Sequence, residues 1–231
     1  KVFDLQNSSR TNFYKNILFP KADKEIWSSS NTTIPVDKSK EEFDKISVLE
    51  RFDHQLKISM LNTSNTLKPD FTWACKDISE INNHYSLKKY ILLFPFCSPH
   101  LTIKKWPYYN DLTKLIGDKF GDEYKVVTAP GPSEVNDAKQ LKALPLLDNG
   151  KALDIFQLSS LIKASSFVIA NDTGPAHIAA HVGAKGLTLF GKHTTAYKVN
   201  IERKNFKAIQ VNDLNNLSAE KVFERLFNSL S

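Results

Sequence analysis

Residues 171–191 read Asn-Asp-Thr-Gly-Pro-Ala-His-Ile-Ala-Ala-His-Val-Gly-Ala-Lys-Gly-Leu-Thr-Leu-Phe-Gly. A carboxylate, a hydroxyl, a glycine and an imidazole follow one another here closely enough to meet one ligand. The apolar run 166–170 before them reads as a buried strand. Asp172, Thr173 and Gly174 read as a tight turn. Pro175 suits the first position of a helix, where its missing N–H has no partner to lose. Gly183 suits the helix end, and 186–190 reads as the next parallel strand. The turn then stands at the carboxyl end of a strand and the amino end of a helix. Open α/β sheets bind ligands there, and free backbone N–H groups favour phosphate. His177 falls in the first helical turn, where the dipole disfavours its protonation, so it reads as a neutral hydrogen-bond donor. Packing beneath the turn is the alternative for it. His181, one turn on, reads as structural.

Three more groups follow strands. In Phe-Cys-Ser-Pro-His-Leu-Thr-Ile-Lys-Lys-Trp-Pro, residues 96–107, Ser98 and Thr102 can donate to phosphate, and Lys104 and Lys105 can neutralise it. The plainer reading is a solvated loop with Trp106 as a core plug. In Ala-Pro-Gly-Pro-Ser-Glu, residues 129–134, Glu134 can accept from a ribose diol. It can equally be a first-turn carboxylate that favours the helix dipole. Phe190-Gly191-Lys192-His193 comes last, and neither His193 nor His100 has an assignable role.

These residues need a scaffold. From Leu87 on, strands are expected at 90–96, 124–129, 143–147, 166–170, 186–190 and 206–211. Helical stripes run through Trp106, Tyr109, Leu112, Leu115 and Ile116, and through Leu158, Leu161 and Ile162 with Asp154 as cap. A further stripe has Val135, Ala138 and Leu141, capped by Ser133. The last has Val222, Phe223, Leu226, Phe227 and Leu230, capped by Ser218. Such alternation predicts a parallel sheet with helices on both faces, an α/β fold. Before Leu87 the pattern is sparser: a strand at 2–5, a helix near 9–19 and an edge strand near 25–29. A charged loop then leads to a helix with Ile46, Leu49, Phe52, Leu56 and Met60 on one stripe. Polar residues 62–88, with Pro69, read as a linker. The expected organisation is a partial α/β domain with its linker over 1–86, and a complete Rossmann-like nucleotide-binding domain over 87–231.

The formal charge of +6 is spread, with no block of five basic residues and no nucleic-acid motif, so nucleic acid is not an expected partner. The charge either draws the chain toward anionic lipid or a phosphorylated substrate, or is a solvated lysine-rich surface. No apolar stretch has the length of a membrane span, and no basic-then-apolar leader opens the chain. Cys75 and Cys97 read as free thiols in a reducing cytoplasm. No clustered Asp/His set has metal spacing, so no metal is expected.

Lys-Lys-Trp-Pro (104–107) and Asn-Asp-Thr-Gly-Pro-Ala-His (171–177), then Ala-Ala-x-x-Gly and a strand ending in Phe-Gly, resemble glycosyltransferase family 9. This family holds the ADP-heptose:lipopolysaccharide heptosyltransferases and their relatives. Asp4-Leu5-Gln6 with Ser9-Arg10 resembles its Asp-x-Gln-Gly-x-x-Lys/Arg segment, with Asn7 in place of the glycine. The resemblance implies the GT-B architecture of two Rossmann-like domains. It implies inverting, metal-independent transfer of a sugar, heptose being one candidate, from a nucleotide-diphosphate donor. An ADP-linked donor is favoured, with a lipopolysaccharide-core-like glycolipid as acceptor and no further cofactor. Lys104 is then expected at the donor diphosphate and Glu134 near the ribose. Asp172, Thr173, Gly174 and His177 form the phosphate- and sugar-side turn, and Arg10 lies on the acceptor side. A cytoplasmic monomer working at the inner membrane of a Gram-negative bacterium is implied. The family's base sits on an amino-terminal Gly-Asp loop without a match here. The sequence, opening on Lys1 inside a strand, is therefore expected to begin within the acceptor domain and to lack turnover alone. A non-catalytic nucleotide-binding module and a nucleotide-sugar epimerase are the competing readings.

Overall fold

The computed structural model describes residues 1–23 and 25–230, and the chain divides into two compact units. One comprises residues 1–69 with 197–200; the other comprises 70–196 with 201–231.

The first unit carries β1 (Val2–Asp4), α1 (Ser9–Leu18), β2 (Trp27–Ser29), α2 (Lys40–Lys45) and α3 (Val48–Ile58). Its sheet has two parallel strands, β1 and β2, among the described residues. The expected charged loop holds α2, whose capping box pairs Ser39 with Glu42. The expected stripe on α3 is not its buried face: Asp53 and Gln55 are buried instead, and Met60 is 90% exposed beyond the helix. The reason is polar. Gln55 Nε2 donates to Asp4 O at 3.2 Å and Ser28 O at 2.8 Å, so the helix is keyed to the strands by hydrogen bonds. Asn7 has φ +46°, the left-handed conformation that glycine adopts most cheaply, and its N–H donates to Asp4 Oδ1 at 2.9 Å. Asparagine is among the few residues other than glycine that take this conformation readily.

The second unit runs α4 (Ser79–His84), β3 (Tyr90–Phe94), α5 (Tyr109–Phe120), β4 (Lys125–Thr128), α6 (Val135–Ala138) and β5 (Leu144–Pro145). It continues with α7 (Ile155–Ala164), β6 (Phe167–Asn171), α8 (Gly174–His181), β7 (Gly186–Phe190), β8 (Phe206–Gln210) and α10 (Ala219–Leu230). Between β7 and β8 the chain forms α9 (Ala196–Val199), of which residues 197–199 belong to the first unit. Six parallel strands lie in the order β5-β4-β3-β6-β7-β8. β3, β6 and β7 are buried along their whole length. Near-continuous apolar runs are what a strand covered on both faces requires. Gly186 lets β7 approach β6: a Cβ there would stand 2.4 Å from Val168 O.

Trp106 plugs the core as expected, 1% exposed, its Nε1 donating to Leu217 O at 2.7 Å. Leu112 and Ile116 of α5 pack in the same core as Val222 and Leu226 of α10. Asp154 caps α7 through a capping box with Gln157. Three expectations shift. Residues 62–88 are not all linker, because a short 3₁₀ turn (Thr72–Ala74) and α4 bury Ala74, Ile78 and Ile81. A six-residue helix is too short to show a period. The strand at 143–147 shrinks to β5, whose Pro145 has no N–H for a ladder. Ser133 does not cap α6: Glu134 holds the cap position, and the helix ends at Ala138, before Leu141.

Candidate functional site

The ends of β3 and β6 are tied together by Asn171, which is fully buried. Its Nδ2 donates to Pro95 O at 2.8 Å, and its Oδ1 accepts from Trp106 N and Tyr109 Oη, each at 3.2 Å. Trp106 and Asn171 thereby fix the loop that carries Lys104 against the turn that carries Asp172. Burial pushes the Tyr109 phenol well above its ordinary value, so it stays a donor.

Asp172 is the centre of charge. Its side chain is 4% exposed and meets three groups. Lys104 Nζ donates to Oδ2 at 2.6 Å and to the Asp172 carbonyl at 3.2 Å. His193 Nε2 lies 3.1 Å from Oδ2 and His177 Nε2 3.5 Å from Oδ1. Burial pushes the Asp172 carboxyl up. Hydrogen bonds from His177, Lys104 and His193, with the Lys104 charge, outweigh that and hold it well below the usual carboxylate range.

Beside this cluster α8 begins. Thr173 is its cap residue, in extended conformation, and Pro175 sits in its first turn. Gly183, at φ +75°, follows its end as expected. Gly174 needs no glycine for its backbone, and a Cβ there would meet nothing within 4 Å. The missing side chain leaves the helix N-terminus open. A cavity of about 360 Å³ faces it, lined by Ser98, Glu134, Thr173 and Gly174 and by the apolar Phe94, Phe96, Pro130, Leu153 and Leu158. Glu134 Oε2 accepts from Gly131 N at 2.8 Å, which leaves its second oxygen for another donor.

The expected residues therefore fall into groups. Ser98, Glu134, Thr173 and Gly174 line the cavity, while Lys104 and His177 meet on Asp172 next to it. Thr102 is exposed and lines a separate groove of about 290 Å³ with Lys105 and Lys192. Arg10 is exposed in the first turn of α1, in the first unit. His193 is the residue that sequence reasoning left without a role. Its signal was its place just past β7, the strand next to β6. His181 keeps to the frame, its carbonyl accepting from Phe71 N at 3.0 Å. Cys75 and Cys97 are free thiols. Among the described residues no three His, Cys, Asp or Glu side chains are grouped to hold a metal ion, and no helix is long and apolar enough to cross a membrane.

The family model for glycosyltransferase family 9 (heptosyltransferase) matches residues 37–225. Among solved structures, the E. coli ADP-heptose LPS heptosyltransferase II is 20% identical with a TM-score of 0.58, over 80% of this chain and 62% of that one. The E. coli heptosyltransferase WaaC with ADP is 17% identical with a TM-score of 0.59, over 85% and 58%. The family 9 glycosyl transferase from Veillonella parvula DSM 2008 is 17% identical with a TM-score of 0.63, over 80% and 60%. The chain thus spans 58–62% of the length of these structures. Identities this low carry the fold. No curated protein matches the chain.

Proposed function

This chain belongs to glycosyltransferase family 9, and from that premise we propose that its sheet unit binds the nucleotide-diphosphate donor of an inverting, metal-independent sugar transferase. The observation that carries the reading is the open start of α8 set beside the Lys104–Asp172 pair. An apolar cavity rimmed by Glu134 suits a nucleoside, with the carboxylate toward the ribose hydroxyls. The diphosphate then lies at Thr173 and Gly174. Pro175 has no N–H, and the N–H of Ala176 already donates to Thr173 O at 3.0 Å. This helix end therefore offers an anion fewer backbone donors than most. Lys104 supplies the rest. Two of its three N–H donors are engaged by Asp172, which aims the ammonium and leaves the third for phosphate.

As the glycosidic bond breaks, negative charge grows on the leaving diphosphate. Backbone N–H groups and Lys104, already in place, stabilise it without reorganising. His177, 37% exposed, reaches the same turn on the sugar side; with its Nε2–H toward Asp172, its Nδ1 is left as an acceptor for a sugar hydroxyl. Asp172 is not free to act as base, since three donors hold it. The ADP of the WaaC structure supports an adenine nucleotide. A heptose as the sugar and a lipopolysaccharide-core glycolipid as the acceptor, met at a membrane surface by a monomer, complete the proposal.

The test is a donor screen with the natural protein, using ADP-, GDP- and UDP-linked sugars and a lipopolysaccharide-core acceptor, with NMR of the product. Transfer from an ADP-sugar with inverted anomeric configuration is expected. Retained configuration, or preference for a UDP-sugar, contradicts the reading.

A further inference from the structure

His193 is not exposed decoration on a loop. Its side chain is 9% exposed, and its ring lies nearly parallel to Phe190, at 19° with centroids 6.0 Å apart. Its Nε2 shares Asp172 Oδ2 with Lys104. Its Nδ1 is buried with no hydrogen-bond partner. A proton on Nδ1 would be a buried donor without an acceptor, whereas a proton on Nε2 is donated to a carboxylate. The geometry therefore selects the neutral tautomer with Nε2–H.

The cluster poses a problem that this histidine solves. A carboxylate 4% exposed must stay paired, because an unpaired buried charge is strongly destabilising. Lys104 is the more exposed partner, at 22%, and carries the flexible stem. Any pull of a phosphate on its ammonium loosens its hold on Oδ2. His177 touches the other oxygen at 3.5 Å and is 37% exposed. Only His193 is both buried and on Oδ2. We infer that His193 is a positioning residue, which keeps Asp172 anchored and oriented while Lys104 turns part of its hydrogen bonding to the donor diphosphate. This rests on the diphosphate reading above.

The test uses His193→Phe, which keeps the ring beside Phe190 and removes the donor, and His193→Gln, which restores an N–H donor. Each is titrated with ADP, in the wild-type and Lys104→Ala backgrounds. His193→Phe is expected to weaken ADP binding about tenfold and His193→Gln to recover most of it. In Lys104→Ala the phenylalanine should add little, because the effect runs through the lysine. An equal, additive loss in both backgrounds overturns the inference. Carbon NMR of the Asp172 carboxyl gives a second readout that needs no nucleotide. Its titration should move upward in His193→Phe and return with His193→Gln; an unchanged titration overturns the inference. Failure of the wild type to bind ADP removes the diphosphate reading, and the carboxyl titration then decides whether His193 anchors Asp172.

Discussion

Asp172 draws its three partners from three elements: Lys104 from the loop after β3, His177 from the start of α8 just beyond it, and His193 from the loop after β7. Lys104 and Asp172 both stood out in the sequence, but as separate phosphate-side residues. Nothing in a string of letters shows that residues 68 positions apart share a hydrogen bond. That pairing changes the chemistry of both, since the lysine is aimed and the carboxylate is spoken for. It also links folding to pH. A carboxyl depressed in the folded state contributes stability above its unfolded value of about 3.9, and that contribution is lost as pH falls through the folded value. Asp172→Asn should therefore lower stability at pH 7 by about 1–3 kcal/mol. The gap to wild type should close as pH falls below about 4. Denaturant melts across pH check this, and a gap that persists unchanged at pH 2 would contradict it.

Among the elements, those buried on both faces were the most legible. β3, β6 and β7 announce themselves because their buried runs are almost wholly apolar, Asn171 and Thr188 being the polar exceptions in β6 and β7. Short or polar-keyed elements were not: α4 is too brief for a period, and α3 is held by Gln55, whose hydrogen bonds leave no hydrophobic pattern. The two glycines flanking α8 and β7 show opposite logic. Gly186 is required by packing, so Gly186→Ala should destabilise by about 1–3 kcal/mol in thermal melts. Gly174 is required by nothing in the fold. Gly174→Ala should leave stability unchanged or raise it by up to about 1 kcal/mol. It should also weaken ADP binding about tenfold by filling the helix entrance, the worth of one phosphate hydrogen bond. Undiminished ADP affinity in a stable Gly174→Ala protein would move the diphosphate away from α8.

At the scale of the whole molecule, the parallel sheet follows from alternation of strand and helix, and its order places β3, β6 and β7 side by side. That adjacency gathers Lys104, Asp172 and His193 at one set of strand ends, where this class of fold binds ligands. The +6 charge does not mark the site; a few geometrically placed groups do. Everything proposed for the site turns on a nucleotide diphosphate binding at the start of α8 beside Lys104 without a metal ion. Calorimetric titration of the chain with ADP in the presence of a chelator, wild type against Lys104→Ala, tests it most directly. Binding that survives chelation, and weakens by about 1.5–3 kcal/mol in the variant, is predicted. Binding that vanishes with the chelator, or is the same in both proteins, would contradict it.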